Sequence, residues 1–262
     1  MPDTMAKASV GTTERQDAWW LGPALTILGL GIGFGYLTWA AFLGDPQHGF
    51  HQNLLSPVYS PPVAEWFPWI KNLMPVWFSP ALLILWAPGG FRGTCYYYRK
   101  AYYRSAFLTP PACGVQGIPF KNYLGERGIF VIQNIHRYFM YLAVVFILVF
   151  LPMDVLHALF FQKPGGGAEF GLSVGTLVLL LNNTLLGLYT LGCHSFRHLV
   201  GGKLDSFSIR TDQKLRYFLW KYVSKLNEHH MLWAWCSLAG VCFADLYVRL
   251  CASGIWNNAR LF

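Results

Sequence analysis

Residues 191–236 read LGCHSFRHLVGGKLDSFSIRTDQKLRYFLWKYVSKLNEHHMLWAWC, a stretch that leaves one apolar run, passes through a basic segment and enters another apolar run. Residues 197–228 within it hold seven Lys/Arg, and residues 92–137 hold seven more, so fourteen of the twenty basic side chains lie in two short segments between apolar runs. That asymmetry orients a membrane protein: under the positive-inside rule both segments face the cytoplasm. The same segments, or the helix ends opening onto them, carry Cys95, Cys113, His136, Cys193, His194, His198, His229 and His230. Most of the metal-ligating side chains therefore gather at one membrane face.

The composition agrees. Of 262 residues 54% are hydrophobic, 17% aromatic and only 12% charged, against about 25% charged in soluble domains. The apolar runs use up most of the length and predict a single membrane bundle with no appended domain. The net charge of +8 sits mainly in the two basic segments, which suits an anionic leaflet or an acidic partner rather than nucleic acid. The six cysteines show no disulfide spacing, and those facing a reducing cytosol suit metal binding or packing better than a disulfide. The opening MPDTMAKASVGTTERQD is polar and lacks a cleavage-site pattern, so the first apolar run is expected to stay as a helix.

A spanning helix needs about 20 mainly apolar residues, and five segments approach this: 18–44, 72–91, 134–156, 170–196 and 222–251. The expectation is an all-α integral membrane protein, a five-transmembrane-helix bundle with a cytoplasmic N-terminus. Residues 1–17 form a cytoplasmic tail, 18–252 the membrane domain and 253–262 an outer tail. Pro75, Pro80 and Pro88 predict bends or a late start in the second span. Gly29, Gly31, Gly33 and Gly35 offer a small-residue face for close helix packing. The outer connections, 45–71 and 154–169, are poor in Lys/Arg. The first, within GDPQHGFHQNLLSPVYSPPVAEWFPWIKN, is too polar and proline-rich to span and is expected along the outer surface, its tryptophans in the interfacial belt. The last helix is expected to begin near Asp212 and to project into the cytosol before entering the bilayer.

His194 and His198 stand at i and i+4 on one helix face, and His230 opens the last span at a similar depth. Intramembrane ionisable residues read as functional by default, although a helix-end histidine also serves simply to bind headgroups or carbonyls. Cys95 and Cys113 lie in the polar segment after the second span, whereas Cys242 and Cys251 suit small buried hydrophobes. Two cofactors compete. One haem b would use His194 or His198 with His136 or His230; a second, outer haem lacks ligands, because His48 and His51 lie in a polar loop and only His157 ends a helix there. A Rieske-type [2Fe-2S] cluster, with two thiolates on one iron and two imidazoles on the other, matches Cys95, Cys113, His194 and His230, with His198 and His136 as further candidates. The cluster is favoured because a haem would leave both cysteines unused. Zinc on the same ligands explains less.

The strings WAPGGFRGTCYYYRKAYYRSAFLTPPACGV, QNIHRYFMYLA, LGCHSFRHLVGGKLD and HHMLWAWCSLAGVCFADLYVRLC resemble the single-chain membrane anchor, or cytochrome b-type subunit, of succinate dehydrogenase and fumarate reductase (complex II) of the actinobacterial, mycobacterial kind. The resemblance covers about residues 86–252. It implies a subunit that docks the flavoprotein and iron-sulfur subunits at the cytoplasmic (inner) membrane and passes electrons from succinate oxidation to a quinone, linking the tricarboxylic acid cycle to the respiratory chain. Menaquinone is the expected acceptor, with ubiquinone open. The family has two-haem, one-haem and haem-free members, so the resemblance leaves the cofactor open.

The aromatic and basic run from Tyr96 to Arg104 suits docking and a quinone mouth. Tyr98, Arg99, His136, Arg137 and Trp233 are the quinone-binding candidates, each also a residue that any membrane boundary carries. The remaining partner is membrane lipid, and a higher oligomer is open. Two other classes are considered: a small proton-coupled transporter whose histidines and Asp245 form a relay, which lacks the internal repeat common in transporters, and a cofactor-free structural anchor.

Overall fold

The computed structural model describes residues 9–42, 46–75, 78–118, 132–163, 165–202 and 211–262. The basic residues Lys121, Arg127, Lys203 and Arg210, and the first eight residues of the expected N-terminal tail, lie outside them.

The chain is mainly helical: α1 (Leu21–Phe42), α2 (Val63–Trp66), α3 (Pro68–Leu73), α4 (Leu82–Thr94), α5 (Tyr96–Ser105), α6 (Ile132–Val145), α7 (Leu151–His157), α8 (Val174–Leu191), α9 (His194–Gly201), α10 (Thr211–Glu228) and α11 (His230–Ala252). Two antiparallel strand pairs complete it: β1 (Phe50–His51) with β2 (Leu54–Leu55), and β3 (Phe160–Gln162) with β4 (Ala168–Phe170). Among the described residues four helical stretches are long and apolar enough to cross a bilayer: Leu21–Phe42, Asn134–His157, Val174–Leu191 and His230–Ala252. The chain is an all-α membrane protein.

The second expected span has the late start that its prolines predict. Its helix starts at Leu82 rather than near residue 72, because Pro75 and Pro80 lack the N–H that a helix interior needs and disfavour helical backbone in the residue before them. At 1.5 Å per residue, the 13 residues of α4 rise about 20 Å. Pro152 has a milder effect. It lies just after a π-turn, Phe146–Phe150, that joins α6 to α7, and the wider turn lets the helix continue past the missing donor.

Within lipid, helix association depends on close van der Waals fit more than on apolar burial. The glycines of α1 supply part of that fit. A Cβ on Gly33 would lie 2.8 Å from Leu238 Cδ2, and one on Gly29 3.0 Å from Trp235 Cζ3, whereas Gly31 and Gly35 face open space. α1 therefore runs parallel to α11, with Cys242 Sγ reaching the Gly33 carbonyl. Gly90 does the same for α4 against α6, its Cβ position 2.3 Å from Phe139 Cε1.

Residues 53–60 of the outer connection are not laid along the surface, whereas Trp66, Phe67, Trp69 and Leu73 further on are exposed. Leu54, Leu55, Val58 and Tyr59 are buried, and the segment hydrogen-bonds into the bundle end, with Tyr59 donating to the Ala40 carbonyl and Ser56 to Asp245. Asp245 is fully buried and also receives Tyr36 Oη at 2.7 Å and Arg249 Nε at 2.8 Å. It lies fifteen residues beyond His230, about 22 Å along α11, and its partners make a closed ion-pair network rather than a relay to the histidines. The last helix breaks at His229 (φ −105°, ψ 20°), so α10 is a separate helix, packed antiparallel on α9 through Arg216 to the Val200 carbonyl and Arg197 to Ser224.

Candidate cofactor site at the helix ends

The C-terminal ends of α4 and α8 meet the N-terminal ends of α6 and α11. Cys95 is the single residue between α4 and α5, with φ −59° and ψ 133°, and Cys193 the single residue between the cap of α8 and α9, with φ −67° and ψ 142°. Each thiol thus sits at a one-residue extended break where a helix stops, and both are buried in one core cluster. His136 lies in the first turns of α6 and His230 opens α11. Both imidazoles are buried.

The four groups meet in pairs. His136 Nε2 is 3.1 Å from Cys193 Sγ, and His230 Nε2 is 3.4 Å from Cys95 Sγ. Each ring is held by an aromatic plate: Phe91 stacks on His136 at 4.9 Å and Tyr189 on His230 at 5.0 Å. The tautomer of His136 follows from its neighbour. Thr94 Oγ1 spends its one proton on the Gly90 carbonyl at 2.6 Å, so at 2.9 Å it can only accept from His136 Nδ1–H. Nε2 then keeps a free lone pair directed at sulfur, the state in which an imidazole ligates a metal. His230 Nδ1, the Tyr189 hydroxyl and the Trp233 indole N–H are buried without partners.

This donor set differs from the one expected. Cys113 is exposed, in a loop whose backbone pairs with the N-terminal segment, Arg15 bonding the Cys113 carbonyl at 2.8 Å. Cys193 takes its place. His194 and His198 are exposed on α9; His194 meets the Tyr96 ring edge and His198 Nδ1 meets Arg137 at 2.6 Å. His136 takes the place of His194. Among the described residues no group of three or more His, Cys, Asp and Glu is placed around one point to hold a metal ion. The donors that do gather are two buried thiols and two buried imidazole Nε2 atoms, each thiol beside one imidazole.

The quinone candidates do not form one pocket. Tyr98 is buried, its hydroxyl donating to the Ala234 carbonyl at 2.7 Å while it accepts from Arg92; burial pushes its phenol up, which keeps it a donor. Trp233 packs against the same core. Arg99 covers the Tyr96 ring and Arg137 meets His198. A cavity of about 400 Å³ lies beneath the site, lined by Phe34, Trp86, Phe91, Arg92, Ile147 and Tyr189 among others. Phe91, Arg92 and Tyr189 escaped the sequence reading, which placed Cys193 at this face but left it out of the ligand set. The available signal was Gly192-Cys193, a helix-stopping glycine followed by a thiol that matches the helix end at Cys95.

An α-helical membrane bundle with buried thiols and imidazoles at one end defines a candidate membrane redox subunit. The family model "Actinobacterial succinate dehydrogenase subunit SdhC" matches residues 21–254, and the chain belongs to that family, the membrane subunit of succinate dehydrogenase. Among solved structures the chain is similar to one from the Mycobacterium smegmatis Sdh1 complex in the apo form, with 40% identity, a TM-score of 0.82, and coverage of 99% of this chain and 97% of that one. No curated protein matches it.

Proposed function

We propose that this subunit anchors the flavoprotein and iron-sulfur subunits of succinate dehydrogenase and relays electrons from succinate oxidation to a membrane quinone through a Rieske-type [2Fe-2S] cluster held by Cys95, Cys193, His136 and His230. The observation that carries this is the buried pairing of two thiols with two imidazole Nε2 atoms at the helix ends. The group would supply a one-electron carrier with a potential above that of an all-cysteine cluster. The chain's own residues prepare the place. Thr94 fixes the His136 tautomer, Phe91 and Tyr189 pin the two rings, and the surrounding core excludes water. The apolar cavity bordered by Phe91 and Tyr189 suits a quinone ring within short electron-transfer range.

Topology supports the reading. The pairing of helix ends makes α4 and α8 run toward the site and α6 and α11 away from it, and α1 runs parallel to α11. In this reading the chain makes five passes, four on the long apolar helices and a short one on α4, and the N-terminal segment is on the side of the site, where Thr13 donates to the Gly114 carbonyl. The positive-inside rule makes that side cytoplasmic, at the inner membrane. Arg99, Lys100, Arg104, Arg137 and Arg197 then belong to the end of the bundle that meets the soluble partners. That the M. smegmatis relative is a subunit of an Sdh1 complex supports soluble partners for this subunit too, and menaquinone is the proposed acceptor.

Iron, acid-labile sulfide and haem contents of the purified complex, with low-temperature EPR after reduction, test the proposal. Two irons and two sulfides above the complement of the soluble subunits, with an anisotropic [2Fe-2S] signal and no Soret band, support it. A b-type haem spectrum without the extra iron and sulfide overturns it and makes His136 and His230 axial ligands.

A further inference from the structure

Arg92 is 5% exposed, on the last turn of α4 and three residues before Cys95. None of the described ion pairs, Arg15–Asp17, Arg249–Asp245 and Arg260–Glu169, involves it. Its described partners are neutral: Nη1 donates to the Tyr98 hydroxyl and to the Ala234 carbonyl at 3.3 Å, and Nη2 to Ser237 Oγ at 3.0 Å. The guanidinium also lies 4.9 Å from the centroid of the Tyr189 ring, the ring that stacks on His230. A buried cation without an anion costs several kcal/mol, and intramembrane charges persist where they serve a function. The other buried arginine among the described residues, Arg249, has Asp245. The groups around Arg92 that can become anionic are the phenols of Tyr98 and Tyr189 and the thiols of its core cluster, and of these the Cys95 and Cys193 thiols are the ones a metal centre would hold as anions.

We infer that Arg92 is the buried counter-charge of the cluster site: its cation offsets the two thiolates of Cys95 and Cys193 and favours the reduced, more negative state of what they hold. This rests on the cluster reading above. A fixed positive charge next to a redox centre raises its potential, because gaining an electron is easier beside a cation. The low-dielectric core makes the effect far larger than it would be in water. Tyr98, Ala234 and Ser237 have the positioning task of holding the guanidinium against Tyr189.

The test is a redox titration of the [2Fe-2S] EPR signal in the intact complex for wild type, R92K, R92Q and Ser237→Ala, with iron content measured on each. The expected result is a midpoint potential that falls in R92Q, stays close to wild type in R92K, and changes little in Ser237→Ala, which keeps the cation. Loss of iron in R92Q with retention in R92K also supports the inference, since charge is then what the site needs. An R92Q cluster titrating at the wild-type potential overturns it, as does equal loss of iron in R92Q and R92K, which would make shape the requirement. A wild-type complex lacking the signal overturns the cluster reading and this inference together, and is distinguished by appearing before any variant is made.

Discussion

His136 Nε2 faces Cys193 Sγ at 3.1 Å across 57 residues of sequence, which joins the start of α6 to the end of α8. With the matching contact of Cys95 and His230 across 135 residues, it ties four helices at one end of the bundle. The same end carries the described basic segments, so the proposed redox site and the proposed docking face share one end of the bundle.

Cys193→Ser and Cys113→Ser separate the donor set read from geometry from the one read from sequence. C193S is expected to lose the additional iron and sulfide and to abolish quinone reduction while succinate oxidation by a soluble dye persists. C113S, on an exposed loop, is expected to keep all three. Metal analysis with the two activity assays decides between them.

Gly90→Val places a branched side chain where a Cβ alone would meet the Phe139 ring at 2.3 Å. Overpacking of this kind costs about 1–3 kcal/mol. Here it also pushes α4, and with it Cys95, away from α6 and His136. The expected outcome is a lower midpoint of thermal unfolding in detergent together with reduced iron occupancy.

Asp245→Ala leaves Arg249 buried, 6% exposed, and removes the acceptor shared by Tyr36 and Ser56. Breaking one side of a buried ion pair costs about 3–5 kcal/mol. The variant is expected to unfold far more readily in detergent. An unchanged unfolding midpoint would contradict the structural role given to this network, and any cluster that remains assembled should titrate at its wild-type potential.

Arg260, beside Glu169 at 3.0 Å, holds that carboxyl below its ordinary value. A depressed carboxylate contributes stability that is present above its unfolded value and is lost as pH falls through its folded value. The tie between β4 and the C-terminal tail should therefore loosen only in acid. Hydrogen exchange at the Leu172, Val174 and Leu261 amides, which pair the tail with the start of α8, should accelerate there, and E169Q should remove that dependence. The pair is exposed, so the effect is small.

The sequence by itself determined the class and the family, and it set the expectation for the side. Hydropathy and the placing of Lys/Arg act through local transfer energies, so they can be read without knowing which helix touches which. The clustering of cysteines and histidines at one face followed from the same counting. The choice among them did not. Cys113 and Cys193 were equally available along the chain; only packing buried one at a helix break against His136 and left the other exposed, tied by its carbonyl to Arg15. The proline-rich 46–75 segment looked like a surface loop, because nothing in its local composition reveals that Asp245, some 190 residues later, accepts a hydrogen bond from Ser56. Arg92 was one basic residue among many until the fold buried it without a carboxylate. Local free energies place a helix in a membrane, whereas rotation about its axis and the neighbours it meets are set by side-chain fit across the bundle, and that fit brought the two thiols, the two imidazoles and Arg92 to one end.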